Sequence, residues 1–465
     1  MPVFTMRATH DPTALLAAGA ARSARALAAG QVSAAELCEA AIARIEALDG
    51  ALNAVVVRDF DHARRQAAHA DAALARGERR PLLGVPMTVK EAFNVAGLPT
   101  SWGLPAFRDF VPPRDAVAVQ RLKAAGAVIL GKTNVPTGLA DWQCDNPVYG
   151  RTVHPLDPAR TPGGSSGGGA VAVATGMVAL ELGSDLTGSL RVPASFCGVY
   201  THKPSEGLLP TRGFAFPGTE EAPAELPSVI GPIGHCADDL LLALQVLAGP
   251  DAAHVAEGCF ALPPPRHAGA KDWRVLVVTA HPQAVVAADV RAAVEGAGRR
   301  LAKAGARVAD ASDLLPDLAE IGGTYDQIVE TVLALAEPGG RPSMSMRTWF
   351  DLLATRTRIR AQLRALFTQF DAVLCPAVGC AAFEHVSEQN FEKRTLTVDE
   401  STTAYGVLGA WAALASLGGL PATVAPAGFT KGGLPLGVQI VGPYFEDRST
   451  IALAQLLAEN TPPQK

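Results

Sequence analysis

The stretch that most constrains this chain is TPGGSSGGGAVAVATGMVALELGSDLTGSLRVPASFCGVYTHKP, residues 161–204. It opens on Gly163, Gly164, Ser165, Ser166, Gly167, Gly168 and Gly169, crosses a run of small apolar residues, and reaches a second polar turn from Ser184 to Ser189. Glycine at this density marks backbone that takes unusual dihedrals or lies against another chain segment, where a side chain would clash. Such loops aim several N–H groups at one point and suit a phosphate or the oxyanion of acyl transfer. The residues from Ala170 to Leu182 read as a helix, with Ala170, Val173, Ala174, Met177 and Val178 available for one apolar face. Two serine turns joined by a buried segment place Ser165 and Ser189 within reach of each other.

With 465 residues and 48% hydrophobic composition, the chain can bury a large core. A net charge of −5, with charges scattered rather than in blocks, gives no reason to expect nucleic acid. No run of the roughly 18 apolar residues needed to span a bilayer is present, and the start, MPVFTMRATHDP, lacks the apolar core of a signal peptide. The expectation is a cytoplasmic protein without a membrane or nucleic-acid partner. The seven cysteines, Cys38, Cys144, Cys197, Cys236, Cys259, Cys375 and Cys380, have no CxxC spacing and read as reduced core residues.

Ser33, followed by Glu36, is a capping box opening a helix that is predicted to end at Gly50, and a second helix is predicted over about Phe60 to Arg76. The run Val85 to Val89 then reads as a strand ending in Lys90. Most lysines are solvated, but Lys90 stands between two apolar stretches. Burial would lower its pKa and make a neutral amine available, so Lys90 is a candidate base.

Two motifs mislead. Gly126, Gly131, Lys132 and Thr133 match the phosphate-loop pattern, but the intervening Ala127 to Leu130 are themselves strand-like, leaving no loop to wrap phosphates. The reading is a helix from Val117 to Ala125, a glycine turn and a strand. Gly163 to Gly167 fits the nucleophile elbow G-x-S-x-G, yet Pro158 and Pro162 forbid the strand that must precede it. Among the ten histidines no pair has zinc-ligand spacing, and none stands in a turn with an evident carboxylate partner.

GGSSGGG at 163–169, GSDLTGSLRVPASFCGV at 183–199 and HKP at 202–204 together resemble the signature block of the amidase signature family. The resemblance extends in family order over GVPMTVKEAF at 84–93, GKTNVP at 131–136, DNPVYGRTVHPLDPARTPGG at 145–164, VIGPIG at 229–234, and GLPATVAPAG and GLPLGVQIVGP within 419–443. It implies Ser189 as nucleophile, Ser165 as a bridging serine on a cis peptide bond, and Lys90 as proton acceptor. It also implies an oxyanion hole from the backbone N–H groups of Leu186, Thr187, Gly188 and Ser189, a supporting Ser166, and Gly138 and Leu139 beside the acyl group. No metal or cofactor is implied; the expected partner is a small-molecule amide, and the chain is expected as a monomer or homodimer. Apolar or aromatic amides are the expected substrates, with esters and carbamates as further ones. The amidase subunit of a tRNA-dependent amidotransferase is the alternative. Thr187 stands where the family usually has glycine, so the backbone there must suit a β-branched residue. Asp185 and Arg191 are expected to brace the turn as an ion pair.

Strand-like WRVLVVT at 273–279, Ala306 to Ala309 and DAVLCPA at 371–377 alternate with a helix from Ala288 to Ala304. This alternation predicts an α/β fold with a mixed, largely parallel twisted sheet covered by helices on both faces, which agrees with the single α/β/α domain of the family. One domain over 1–465 is expected, with an N-terminal helical part over 1–80, a catalytic core over 84–204, and variable substrate-site segments at 205–228 and 310–350. A polar, irregular piece from about Cys380 to Thr403 is expected as a third variable segment.

Overall fold

The computed structural model describes residues 11–219, 227–251, 253, 261–336 and 344–461. Among them, eleven strands form one sheet, in the spatial order Val55–Arg58, Val128–Thr133, Pro86–Lys90, Leu180–Asp185, Val229–Gly234, Tyr200–Lys203, Ala422–Phe429, Pro435–Val441, Ala372–Pro376, Arg274–Val277 and Arg307–Ala309. The sheet is mixed. It is parallel around Pro86–Lys90 and around Arg274–Val277, and antiparallel through the middle. Helices flank it, and strands such as Pro86–Lys90 and Leu180–Asp185 are buried along their whole length. Because Leu180–Asp185 is buried on both faces, even its polar residues lie inside, Glu181 accepting from Thr133 Oγ1 at 2.6 Å, so no solvent-facing residues mark the strand in the sequence.

That pattern is also why one expectation fails. The segment expected as one helix from Ala170 to Leu182 is a short helix, Gly167–Ala174, followed by the strand Leu180–Asp185. Gly176, with φ +66°, ends the helix, and a continuous apolar run has no period by which to tell strand from helix. The glycines of this helix let it touch its neighbours directly: a Cβ on Gly168 would lie 2.4 Å from Asn134 N and 2.8 Å from Ala54 O.

Elsewhere the outcome is closer. Ser33 caps the helix Ala34–Leu52 with both halves of its capping box. That helix runs past Gly50 and stops at Asn53, which takes the left-handed conformation at φ 55°. The helices Phe60–Ala75, Val117–Ala124 and Ala288–Ala304 fall where expected. The glycine turn at Gly126 leads straight into Val128–Thr133, so the phosphate-loop lookalike is helix, turn and strand. The piece from Cys380 to Thr403 is less irregular than expected, since it contains the hairpin Thr395–Val398 with Ser401–Ala404. The helices Leu318–Ala336 and Met346–Gln369 occupy most of the 310–350 segment; its residues 337–343, like 220–226 of the earlier variable segment and Cys259, lie outside the described residues. Among the described residues, no helix is long and apolar enough to cross a membrane.

Candidate active site

Lys90 is the last residue of its strand and is fully buried. Its Nζ is hydrogen-bonded to Ser165 Oγ at 2.6 Å and to Ser184 Oγ at 2.9 Å. Burial pushes the amine down from 10.5 to about 7, overriding the opposing pull of Asp185. Lys132 and Lys203 are buried as well, and burial lowers them to about 8 and about 7. Their partners separate them from Lys90. Lys203 Nζ donates to the carbonyls of Pro204 and Leu420, at 3.0 and 2.7 Å, and a carbonyl can only accept. Lys132 Nζ donates to the Pro99 carbonyl and to Thr100 Oγ1 at 2.7 Å, with Glu91 4.0 Å away. Lys90 alone of the three bonds to two hydroxyls, which can donate a proton to a neutral amine.

Ser165 follows a cis peptide bond from Gly164 and is 1% exposed. Its neighbour joins the two serine turns: the Ser166 N–H donates to the Ser189 carbonyl at 3.0 Å, and Ser166 Oγ donates to the Ser184 carbonyl at 3.2 Å. The sequence separation between Ser165 and the Ser184–Ser189 turn is thus closed by these bonds. Ser189, 6% exposed, lies just ahead of the helix Arg191–Cys197.

The turn is built on a buried ion pair. Arg191 donates from Nη2 to Asp185 Oδ1 at 2.7 Å and from Nε to Oδ2 at 2.9 Å, with both side chains fully buried. Arg191 Nη1 also reaches the Ala412 carbonyl at 3.0 Å and Gln439 Oε1 at 2.7 Å, so the guanidinium is well satisfied. Burial by itself would raise the Asp185 carboxyl, but the guanidinium beside it prevails and holds it at about 2. The same carboxylate accepts from the Gly188 N–H at 2.9 Å and the Leu190 N–H at 3.0 Å. The expected four-donor oxyanion hole is therefore corrected at one position. The Gly188 N–H is committed to Asp185, leaving those of Leu186, Thr187 and Ser189. The left-handed residue of the turn is Gly188, at φ 98°, not Thr187, which is why a β-branched residue is accommodated there.

Gly138 and Leu139 form a tight 3₁₀ turn, both at positive φ, after the Val128–Thr133 strand. The Gly138 N–H donates to the Trp102 carbonyl at 2.8 Å, and a Cβ on Gly138 would meet nothing within 4 Å. Trp102 stacks on Phe214 at 5.7 Å and meets Phe216 edge-on at 5.9 Å, so an aromatic cluster adjoins this turn. Sequence reasoning missed these rings, which come from two loops without local periodicity. The described cysteines give no competing nucleophile: Cys236, the one beside a histidine, is pushed up to about 12, chiefly by burial, and Cys38, Cys144, Cys197, Cys375 and Cys380 are buried and form no disulfide. A buried Ser205–Asp447–His202 group is present, but Asp447 sits between the other two, bonding Ser205 Oγ at 2.7 Å and His202 Nε2 at 3.0 Å. That order cannot pass a proton from serine to histidine. No cluster with metal-ligating chemistry occurs among the described residues.

An α/β sheet in which a buried lysine is bonded to a serine of a glycine-framed pair that is tied to a second serine turn points to the class of amide hydrolases. The family model described as Amidase matches residues 36–336 and 326–451, and the chain belongs to the amidase family. It is similar to the amidase candidate AmiB2 of Mycobacterium tuberculosis, with 34% identity over 97% of this chain and 98% of the relative. It is also similar to a glutamyl-tRNA(Gln) amidotransferase subunit of Roseiflexus castenholzii, with 31% identity over 93% of each chain. Among solved structures, a chain of an inhibitor-bound vestigial complex, described as revealing the evolutionary origins of an s-triazine catabolic enzyme, matches with TM-score 0.82 and 29% identity over 95% of this chain and 98% of that one.

Proposed function

We propose that this amidase hydrolyses small carboxamides through an acyl-enzyme on Ser189, with Ser165 relaying protons to Lys90. The observation that carries the reading is the 2.6 Å contact between Lys90 Nζ and Ser165 Oγ, made by an amine lowered to about 7. A serine hydroxyl is a weak nucleophile until a base takes its proton. Neutral Lys90 accepts the Ser165 proton as Ser165 takes that of Ser189, and Ser189 Oγ attacks the carbonyl. The N–H groups of Leu186, Thr187 and Ser189 receive the oxyanion. As the C–N bond breaks, Ser165 gives a proton to the amine and is refilled from Lys90, because an amide nitrogen leaves poorly as an anion. Water then releases the acid by the same relay. Ser166 and the Asp185–Arg191 pair hold the turn without contacting the substrate. Gly138 and Leu139, beside the Trp102, Phe214 and Phe216 rings, line the acyl side, which favours aryl or alkyl amides, with related esters and carbamates as secondary substrates.

The test is intact mass after treatment with a fluorophosphonate probe, followed by peptide mapping. A single adduct on Ser189, lost in Ser189→Ala, is expected. Labelling that persists in Ser189→Ala would refute the assignment. A second reading rests on the similarity to the glutamyl-tRNA(Gln) amidotransferase chain. It requires partner proteins, so turnover of anilides by the purified chain alone supports the first reading. Glutamine-dependent amidation that appears only with those partners added supports the second.

A further inference from the structure

The turn that carries Thr187 is fastened on the side of its carbonyls, by groups the mechanism above does not use. Tyr325, on the helix Leu318–Ala336, donates its hydroxyl to the Leu186 carbonyl at 2.5 Å. Ser416, on the helix Ala410–Gly418, donates to the same carbonyl at 3.0 Å. Trp142 Nε1 donates to the next carbonyl, that of Thr187, at 2.9 Å. All three side chains are buried.

In a trans peptide the C=O and N–H point in opposite directions. Two donors pulling the Leu186 carbonyl one way therefore aim the Thr187 N–H the other way, and among the described residues that N–H has no acceptor. The Thr187 carbonyl, held by Trp142, fixes the following peptide, whose N–H is the one bound by Asp185. The donors are themselves constrained. Ser416 Oγ accepts from Arg191 Nη2 at 2.8 Å, which turns its proton toward Leu186. Burial raises the Tyr325 phenol pKa, so it stays a donor throughout the working pH range.

We propose that Tyr325 and Ser416 are positioning residues that aim the Thr187 N–H at the oxyanion, Tyr325 being the principal one, while Trp142 supports them by fixing the peptide that follows. The proposal rests on the reading that Ser189 is the nucleophile. It assigns to Tyr325 a share of transition-state stabilisation without any contact to substrate. Removing a direct oxyanion donor typically lowers kcat about 10²–10³-fold, and a group that only aims one costs less.

Tyr325→Phe keeps the ring and removes the hydroxyl. It is expected to lower kcat about 10-fold or more while KM stays within about threefold, and to raise the Ki of a trifluoromethyl ketone bearing the same acyl group by the factor lost in kcat/KM. The ketone is the decisive readout, since its adduct on serine carries the oxyanion while the bound substrate does not. Trp142→Phe, a second variant, removes the indole N–H and is expected to show the same coupled loss at smaller size. A kcat within twofold of the parent in Tyr325→Phe, whatever Trp142→Phe does, or a loss of kcat with unchanged ketone Ki, would overturn the proposal. Ser189→Ala in the same assay separates the two levels: full turnover there refutes the nucleophile and the positioning together, whereas an inert Ser189→Ala beside an unaffected Tyr325→Phe refutes the positioning alone.

Discussion

Replacing Lys90 with methionine should remove activity and strengthen the fold at once. Burial moves the amine from 10.5 to about 7. At about 1.4 kcal/mol per unit, this corresponds to roughly 5 kcal/mol of cost for holding the charged form in the folded chain. Lys90→Met removes that cost but also loses two hydrogen bonds, to Ser165 and Ser184, at about 1 kcal/mol each. A net gain of about 2–3 kcal/mol in unfolding free energy is expected near neutral pH. The pH dependence has a definite sign. The folded pKa lies below the unfolded one, so the cost is full below about pH 7 and fades as pH rises toward 10.5, where both states are neutral. Lys90→Met should thus have the higher urea midpoint at pH 6–7, match the parent near pH 9, and fall about 1 kcal/mol below it by pH 10, where the two lost hydrogen bonds outweigh what is left of the charge cost. In activity, the parent kcat/KM should rise about tenfold from pH 6 to pH 8, following the neutral fraction of a group near 7, and Lys90→Met should lose roughly 10²–10⁴-fold. If Lys90→Met destabilised equally at pH 7 and pH 10, or the parent rate were flat across pH 6–8, the neutral-amine argument would fail.

Arg191→Met strands the buried Asp185 carboxylate and should cost about 3–5 kcal/mol, read as a fall in melting temperature; a change under about 1 kcal/mol would show that the pair is not needed for the turn. Gly168→Ala drives a methyl to 2.4 Å from Asn134 N and should destabilise by about 1–3 kcal/mol, whereas Gly50→Ala, inside the Ala34–Leu52 helix with nothing within 4 Å, should stabilise by about 0.5–1 kcal/mol; equal melting shifts for the two would refute the contact argument.

What the sequence made legible is local. Ser33 and Glu36 announce a helix start because a capping box is satisfied within four residues, and Lys90 stands out because a charge between apolar runs has no local explanation. The Asp185–Arg191 pair is readable for the same reason, being six residues apart across one turn. What escaped was decided at a distance. Leu180–Asp185 is a strand because Pro86–Lys90 and Val229–Gly234 lie beside it, and nothing inside VALELG records those neighbours. Gly188 loses its place among the oxyanion donors through an Asp185 contact that the spacing alone does not foretell. Lys132 and Lys203 are as buried as Lys90, and only their partners tell them apart: each of the two donates to at least one carbonyl, whereas Lys90 meets hydroxyls alone. Tyr325 and Ser416 reach the turn from 139 and 230 residues away, so no window of sequence contains both ends.

The reach of Arg191 also carries a consequence for how the molecule is made. One arm of its guanidinium rests on Gln439, 248 residues further along the chain. A ribosome delivers the serine turns early and the Pro435–Val441 strand nearly last. During that interval, tens of seconds at roughly 5–20 residues per second, the nascent turn holds an Arg191 already paired with Asp185 but still without the Ala412, Ser416 and Gln439 partners that complete its bonding. Catalytic competence is therefore an event of the final stretch of translation, and a truncated transcript ending before residue 439 encodes every reacting side chain without encoding a finished site.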